Sequence, residues 1–286
     1  MNARTMLVTA VAAAAAVTSA CSPTVTGTAS PASEAGPAPA PGTVAAAPLV
    51  VGSQNTWIDV TGQGAPTRSI AAPGAITVGV EQCTLGPAIQ KASGVGDGFV
   101  TAGHCGPNGT PQRLKTDTDP VGVPLGDLTG SEEKDGALTS DSAALWAGPA
   151  DRASALLAGT WRVAGVMKVD AVQHLPQKTP VCFDGAFSGV VCGALDDAST
   201  DILFDAASQP GDSGAPVFMV DSTTHTATLV GILKGGDDAQ SVSRVSMATF
   251  LEPALTRLES IALVDPKAAA TVASDPRYST AVSPLQ

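Results

Sequence analysis

Residues 98–105 read Gly98-Phe99-Val100-Thr101-Ala102-Gly103-His104-Cys105, and residues 210–216 read Pro210-Gly211-Asp212-Ser213-Gly214-Ala215-Pro216. In the first stretch an apolar, β-rich run ends in a glycine, a histidine and a cysteine. Imidazole, with an ordinary pKa of about 6.5, suits a general base working near neutral pH. In the second stretch a glycine stands on each side of the serine. The backbone can turn sharply there, the hydroxyl has room, and the N–H groups of Gly211 and Ser213 can converge on one point. Two such donors are what a developing oxyanion needs, and losing one typically costs about 2.7–4 kcal/mol of barrier. Alone, each stretch also has a bland reading: a histidine at a strand end is often structural, and Gly-Asp-Ser-Gly is a common turn.

Working outward, short β-rich runs separated by Gly, Pro, Asp and Asn clusters begin near Ala75. They are Ile76–Val80, Gly98–Ala102, Ala143–Trp146, Trp161–Val169, Gly189–Gly193, Ile202–Phe204, Ala215–Val220 and Ala227–Leu233. Many short strands with turn signals between them predict an all-β sandwich or barrel. Phe250, Leu251, Leu255, Leu258 and Ile261 recur at helical spacing, with Pro253 in the first turn, where a missing N–H is tolerated, and they predict one terminal helix. After Asp265 the chain turns to Ala, Ser and Pro, so residues 266–286 read as a loose tail.

Together, and in this order, the two stretches resemble the signatures of the chymotrypsin-like serine peptidases, nearest to the bacterial branch of the streptogrisins and α-lytic protease. The resemblance covers about Ile76 to Val264. The segment Val181-Cys182-Phe183-Asp184-Gly185-Ala186-Phe187-Ser188-Gly189-Val190-Val191-Cys192-Gly193 strengthens it, because that branch carries a similar short disulfide hairpin. The resemblance implies two six-stranded antiparallel β-barrels with a C-terminal helix over residues 75–265. It implies hydrolysis of peptide bonds with Ser213 as nucleophile, His104 as base and a carboxylate between them in the chain. Asp141 matches the family's pattern of an Asp just before small and apolar residues entering a strand. Asp135 is the rival, and Asp117 and Asp119 read as exposed loop residues. The family also implies the pairs Cys83–Cys105 and Cys182–Cys192, although four cysteines permit three pairings. Val230-Gly231-Ile232-Leu233-Lys234-Gly235-Gly236 is similar to the family's substrate-binding strand, along which an extended peptide would add. Lys234 departs from the pattern, which has Ser there to support the triad Asp. It could pair with Asp141 or another acid, or project into solvent. Ala207 and Ser208, small and uncharged, would floor the primary pocket, which argues against a demand for Arg or Lys at the cleavage site. No cofactor or metal is implied: the cysteines lack paired short spacings. His174 and His225 show no motif and are assigned to the surface.

The chain order His before Ser, and Ala215 where a Gly-x-Ser-x-Gly elbow would have glycine, disfavour an α/β-hydrolase lipase or esterase. A formal charge of −11 argues against a nucleic-acid surface. At the N-terminus Arg4, an apolar run from Met6 to Val17, and Ser19-Ala20 before Cys21 read as an export signal over residues 1–21, too short to span a bilayer comfortably. The site before Cys21 resembles the bacterial lipoprotein processing site, with Thr18 where that family has Leu. Acylation of Cys21 would anchor the chain at the outer face of the membrane; an ordinary secretory signal would release it. Either way Cys83, Cys105, Cys182 and Cys192 would face an oxidising compartment. Residues 22–74 are read as a flexible linker rich in Ala, Pro and Thr, within which Leu49–Pro73 is either an added strand or a short pro-segment. Besides an exported endopeptidase, the sequence allows a catalytically weak, protease-like binding protein of the cell envelope.

Overall fold

The structure is a computed structural model, and it describes residues 56–71, 82–116, 119–148, 155–236 and 244–285. The signal segment, Cys21, most of the linker, Asp117 and the strand predicted at Ile76–Val80 lie outside the described residues, as does the side chain of Asp119.

In chain order the strands are β1 (Trp57–Ile58), β2 (Ser69–Ala71), β3 (Gln82–Thr84), β4 (Ala88–Lys91), β5 (Asp97–Thr101), β6 (Pro111–Thr116), β7 (Asp119–Lys134), β8 (Ser140–Leu145), β9 (Leu156–Leu157), β10 (Trp161–Val166), β11 (Pro180–Gly185), β12 (Gly189–Asp197), β13 (Ile202–Phe204), β14 (Pro216–Asp221), β15 (Ala227–Gly236), β16 (Ser246–Phe250), β17 (Ser260–Val264) and β18 (Val282–Pro284). Three short helices accompany them: α1 (Val169–Gln173), α2 (Leu251–Arg257) and α3 (Pro266–Ala269). One sheet is ordered β1-β14-β11-β12-β13-β16-β15-β10-β9, and a further pairing of β14 with β15 closes six of its strands into a barrel. The other is a nine-stranded sheet, β18-β17-β4-β5-β8-β7-β6-β2-β3. The all-β class with two β bodies is as expected, and among the described residues the closed barrel is the one carrying Ser213.

The period of two along a strand explains why the apolar run at 215–220 does not alternate with polar residues. Val217 and Met219 point into the barrel with Phe183, Phe204, Leu233 and Phe250. Phe218 and Val220 point the other way, into a layer shared with Trp161, Ile89, Val100, Leu251 and Leu255. Both faces of β14 are therefore buried. The inner face of the other sheet is filled by Leu85, Leu128, Ala143 and Leu145.

Four expectations are corrected. The terminal helix is short: Glu259 takes φ 48°, ending α2, and Ile261 lies in β17 opposite Gln90 of β4. The tail is not loose. Asp265 caps α3 by accepting from the N–H groups of Lys267 and Ala268, β18 pairs with β17, and the buried Tyr278 shares a 2.8 Å hydrogen bond with Thr228. Part of the stretch read as linker is also built in. β1 pairs with β14, Gly62 N–H donates to Val190 O, and Ala65 N–H donates to Ala158 O. β2 joins β3 and β6. Between the two sequence alternatives for Leu49–Pro73, Trp57–Ile58 takes the added strand. Val169, predicted at the end of a strand, instead begins α1.

Candidate active site

His104 sits on a single 3₁₀ turn, Gly103–Cys105, directly after β5. Gly103 is required there: a Cβ would lie 2.0 Å from the carbonyl oxygen of Glu132 on β7. The disulfide Cys83–Cys105 ties this turn to β3, and Ser131 Oγ lies within reach of the carbonyls of Gly103 and Gly106. β5 pairs with β8, whose second residue is Asp141. The Asp141 carboxylate takes hold of His104 twice. Its Oδ2 accepts from His104 Nδ1 at 2.7 Å, and its Oδ1 accepts from the His104 backbone N–H at 3.0 Å. Asp141 is 3% exposed, while a third of the His104 side chain faces solvent. A carboxylate only accepts, so Nδ1 carries the proton and Nε2 is left as the acceptor. The rival Asp135 is exposed on the turn between β7 and β8.

Burial alone would lower the imidazole pKa below its ordinary 6.5. The Asp141 hydrogen bond and charge, joined by the charge of Glu133, outweigh burial and the opposing charge of Lys234, so His104 is raised.

The loop bearing Ser213 is fastened to the His104 sheet through Thr84 of β3. Thr84 N–H donates to Ser213 O at 2.7 Å, and Thr84 Oγ1 donates to Gly211 O at 2.9 Å while accepting from Ala186 N–H at 3.0 Å. Gly214, at φ 91°, packs so closely on β5 that a Cβ would lie 2.2 Å from Thr101 Oγ1. Ser213 and His104 are thus held on neighbouring, mutually bonded segments. Their side chains share no hydrogen bond in this state, and Ser213 is half-buried. Within the loop the N–H groups of Asp212, Gly214 and Ala215 donate to Gln209 O, Leu233 O and Asp212 O. Those of Gly211 and Ser213 donate to no group among the described residues. The turn that leaves them free has Gly211 at φ 99°, with the Phe187 ring against its α-carbon.

Beneath the loop lie two buried carboxylates, Asp212 and Asp184, with no cation between them among the described residues. Asp212 accepts from the N–H groups of Phe187, Ser188 and Gln209 and from Ser188 Oγ. Asp184 accepts from Thr67 N–H and Ala158 N–H, both at 3.1 Å. Burial, reinforced by the Asp212 charge and only partly offset by those two bonds, pushes Asp184 up to about 7.

Lys234 pairs with another acid. Its Nζ lies 3.0 Å from Asp201 Oδ1 and 3.4 Å from Thr139 Oγ1, so it neither bonds Asp141 nor projects freely into solvent. Gly235 and Gly236 pair on one edge with Met247 and Ser246 of β16; β14 reaches only Ile232, so the other edge of Lys234–Gly236 bears no strand among the described residues. Ser208 is buried and Ala207 exposed. Cys182 pairs with Cys192. The cluster of Cys83, Cys105 and His104 has both sulfurs in a disulfide and offers no thiolate to a metal. His174 and His225 are on the surface.

Thr84, Asp184, Asp201 and Phe187 were not singled out from the sequence. The one visible signal is Asp184, a charge that directly follows the apolar run Val181-Cys182-Phe183.

No protein-family model and no curated protein matches the chain. Among solved structures it is similar to the chymotrypsin of Cellulomonas bogoriensis, at 18% identity over 70% of this chain and 98% of that one, with a TM-score of 0.45. Protease A of Thermobifida fusca matches at 19% identity over 70% and 98%, TM-score 0.44. A glutamic acid specific serine protease matches at 16% identity over 67% and 96%, TM-score 0.47. These three solved structures are bacterial chymotrypsin-like serine proteases.

Proposed function

We propose that the chain is an exported serine endopeptidase that cleaves peptide bonds through an acyl-enzyme. Ser213 attacks the scissile carbonyl. His104 Nε2 takes the hydroxyl proton and later returns it to the leaving amine. Asp141 holds the imidazole tautomer and stabilises the imidazolium. The free N–H groups of Gly211 and Ser213 receive the oxyanion, and the open edge at Lys234–Gly236 receives the peptide as an added strand. The observation that carries this reading is the double grip of buried Asp141 on His104, beside a glycine-bracketed serine whose own N–H, with that of Gly211, donates to no group among the described residues. The Ser213–His104 bond is open, as catalytic hydrogen bonds often are before substrate binds. Export fits two disulfides, and acylation of Cys21 remains part of the proposal.

The open bond, together with a lysine where the resembling family has serine, also favours a second reading, a weakly catalytic peptide-binding protein. A peptide library incubated with the wild-type chain and with Ser213→Ala separates the two. Cleavage by the wild type alone is the expected result. Retention of peptides by both chains without cleavage supports the binding protein.

A further inference from the structure

Thr139, two residues before Asp141, is held at every polar group by the opposite barrel. Its N–H donates to Thr200 O at 3.2 Å, and its carbonyl accepts from Thr249 Oγ1 at 2.7 Å. Its hydroxyl donates to Asp201 Oδ1 and accepts from Lys234 Nζ. The ion pair that closes this grip is largely sheltered, with side-chain exposures of 18% for Lys234 and 14% for Asp201. Lys234 also stands one residue past Leu233, whose N–H and carbonyl bond Ala215 O and Gly214 N on the Ser213 loop. One ion pair therefore touches both the segment that leads to Asp141 and the strand that supports Ser213.

We propose that Lys234 and Asp201 are positioning residues of the candidate active site: as a charge-balanced pair they strap the Thr139–Asp141 segment to the Ser213 barrel and set the protonation of His104. The proposal rests on the peptidase reading for its consequence on rate, but its electrostatic half does not. The charges that face His104 are Asp141 on β8, Glu133 on β7 and Lys234 on β15; the disulfide beside it does not titrate. Lys234 is a cation acting on the imidazole, and the Asp201 carboxylate lies 3.0 Å from its ammonium. Removing the lysine charge uncovers a carboxylate, and the imidazole should hold its proton to higher pH. Removing the Asp201 charge uncovers the ammonium, and the imidazole should lose its proton at lower pH.

The test is an NMR titration of the imidazoles in the full chain carrying Ser213→Ala, which prevents self-cleavage. With three histidines in the sequence, His104 is assigned by its loss in His104→Gln, and the exposed His174 and His225 report whether each variant is folded. Lys234→Met should raise the His104 midpoint and Asp201→Asn should lower it, each by about half a pH unit or more, while Lys234→Arg leaves it in place. If Lys234→Met does not fold, Asp201→Asn carries the test. Thr139→Ala, which cuts the strap without changing charge, should leave the midpoint alone and slow fluorophosphonate labelling of the chain with Ser213 intact by about tenfold. Midpoints that coincide with the parent chain's in both charge variants, or that move in the same direction, overturn the inference. Absence of Ser213-dependent labelling in the wild type overturns the peptidase reading instead, and leaves the titrations to be read on their own.

Discussion

Asp184 is 1% exposed, has no cationic partner among the described residues, and faces a second buried carboxylate, Asp212. Its carboxyl group moves from 3.8 to about 7 on folding. That is about 3 pH units, and at 1.36 kcal/mol each it makes the folded state prefer the protonated acid by about 4 kcal/mol. Because the folded value is raised, Asp184's contribution is whole below pH 3.8 and is lost as pH rises through about 7. Other carboxylates titrate over part of that span, so the informative quantity is a difference between two chains. Asp184→Asn resembles the protonated acid at every pH. In a Ser213→Ala background, urea unfolding of the parent and the Asp184→Asn chain should show the variant gaining on the parent by about 4 kcal/mol between pH 4 and pH 8. A gap that stays constant to within about 1 kcal/mol across that range refutes the argument that burial dominates this site.

The remaining predictions concern the clamp, the base and the tail. Thr84→Val keeps the shape but leaves Gly211 O and Ala186 N–H without their partner; it should cost about 2–4 kcal/mol in urea unfolding and slow fluorophosphonate labelling. In the proposed mechanism His104 is a base only when neutral, and its folded pKa is raised, so labelling should fall to half at a pH above 6.5. Glu133→Gln removes one of the charges that raise it, and that midpoint should drop by a few tenths of a pH unit, less so in high salt. Tyr278→Phe should lower stability by about 1–2 kcal/mol by leaving Thr228 Oγ1 unpaired in the core.

What was legible in the sequence was what the backbone dictates locally. Gly103 and Gly214 have no room for a Cβ, and Gly211 adopts a left-handed φ, so the runs around His104 and Ser213 carry glycines wherever they are read. The choice of Asp141 over Asp135 depended on the family likeness. What separates the two carboxylates is burial through the pairing of β7 with β8, and that is a non-local property. The same holds for Lys234: its partner Asp201 and its anchor Thr139 come from segments just before β13 and β8, and no spacing along the chain joins them. The terminal helix was overextended because Leu258 and Ile261 satisfy a helical period, while Ile261 with its neighbours serves a strand equally well. Composition made the tail look loose, since one anchoring aromatic, Tyr278, hardly registers among Ala, Ser and Pro.

The most direct measurement is to treat the wild-type chain with a fluorophosphonate probe, digest it, and locate the adduct by mass spectrometry. A single adduct on the peptide containing Ser213, formed at least about a thousandfold more slowly in His104→Ala and in Asp141→Asn, is the expected result. No adduct, or one on Ser213 whose rate is indifferent to the loss of His104, contradicts the claim that these three side chains act as one catalytic unit.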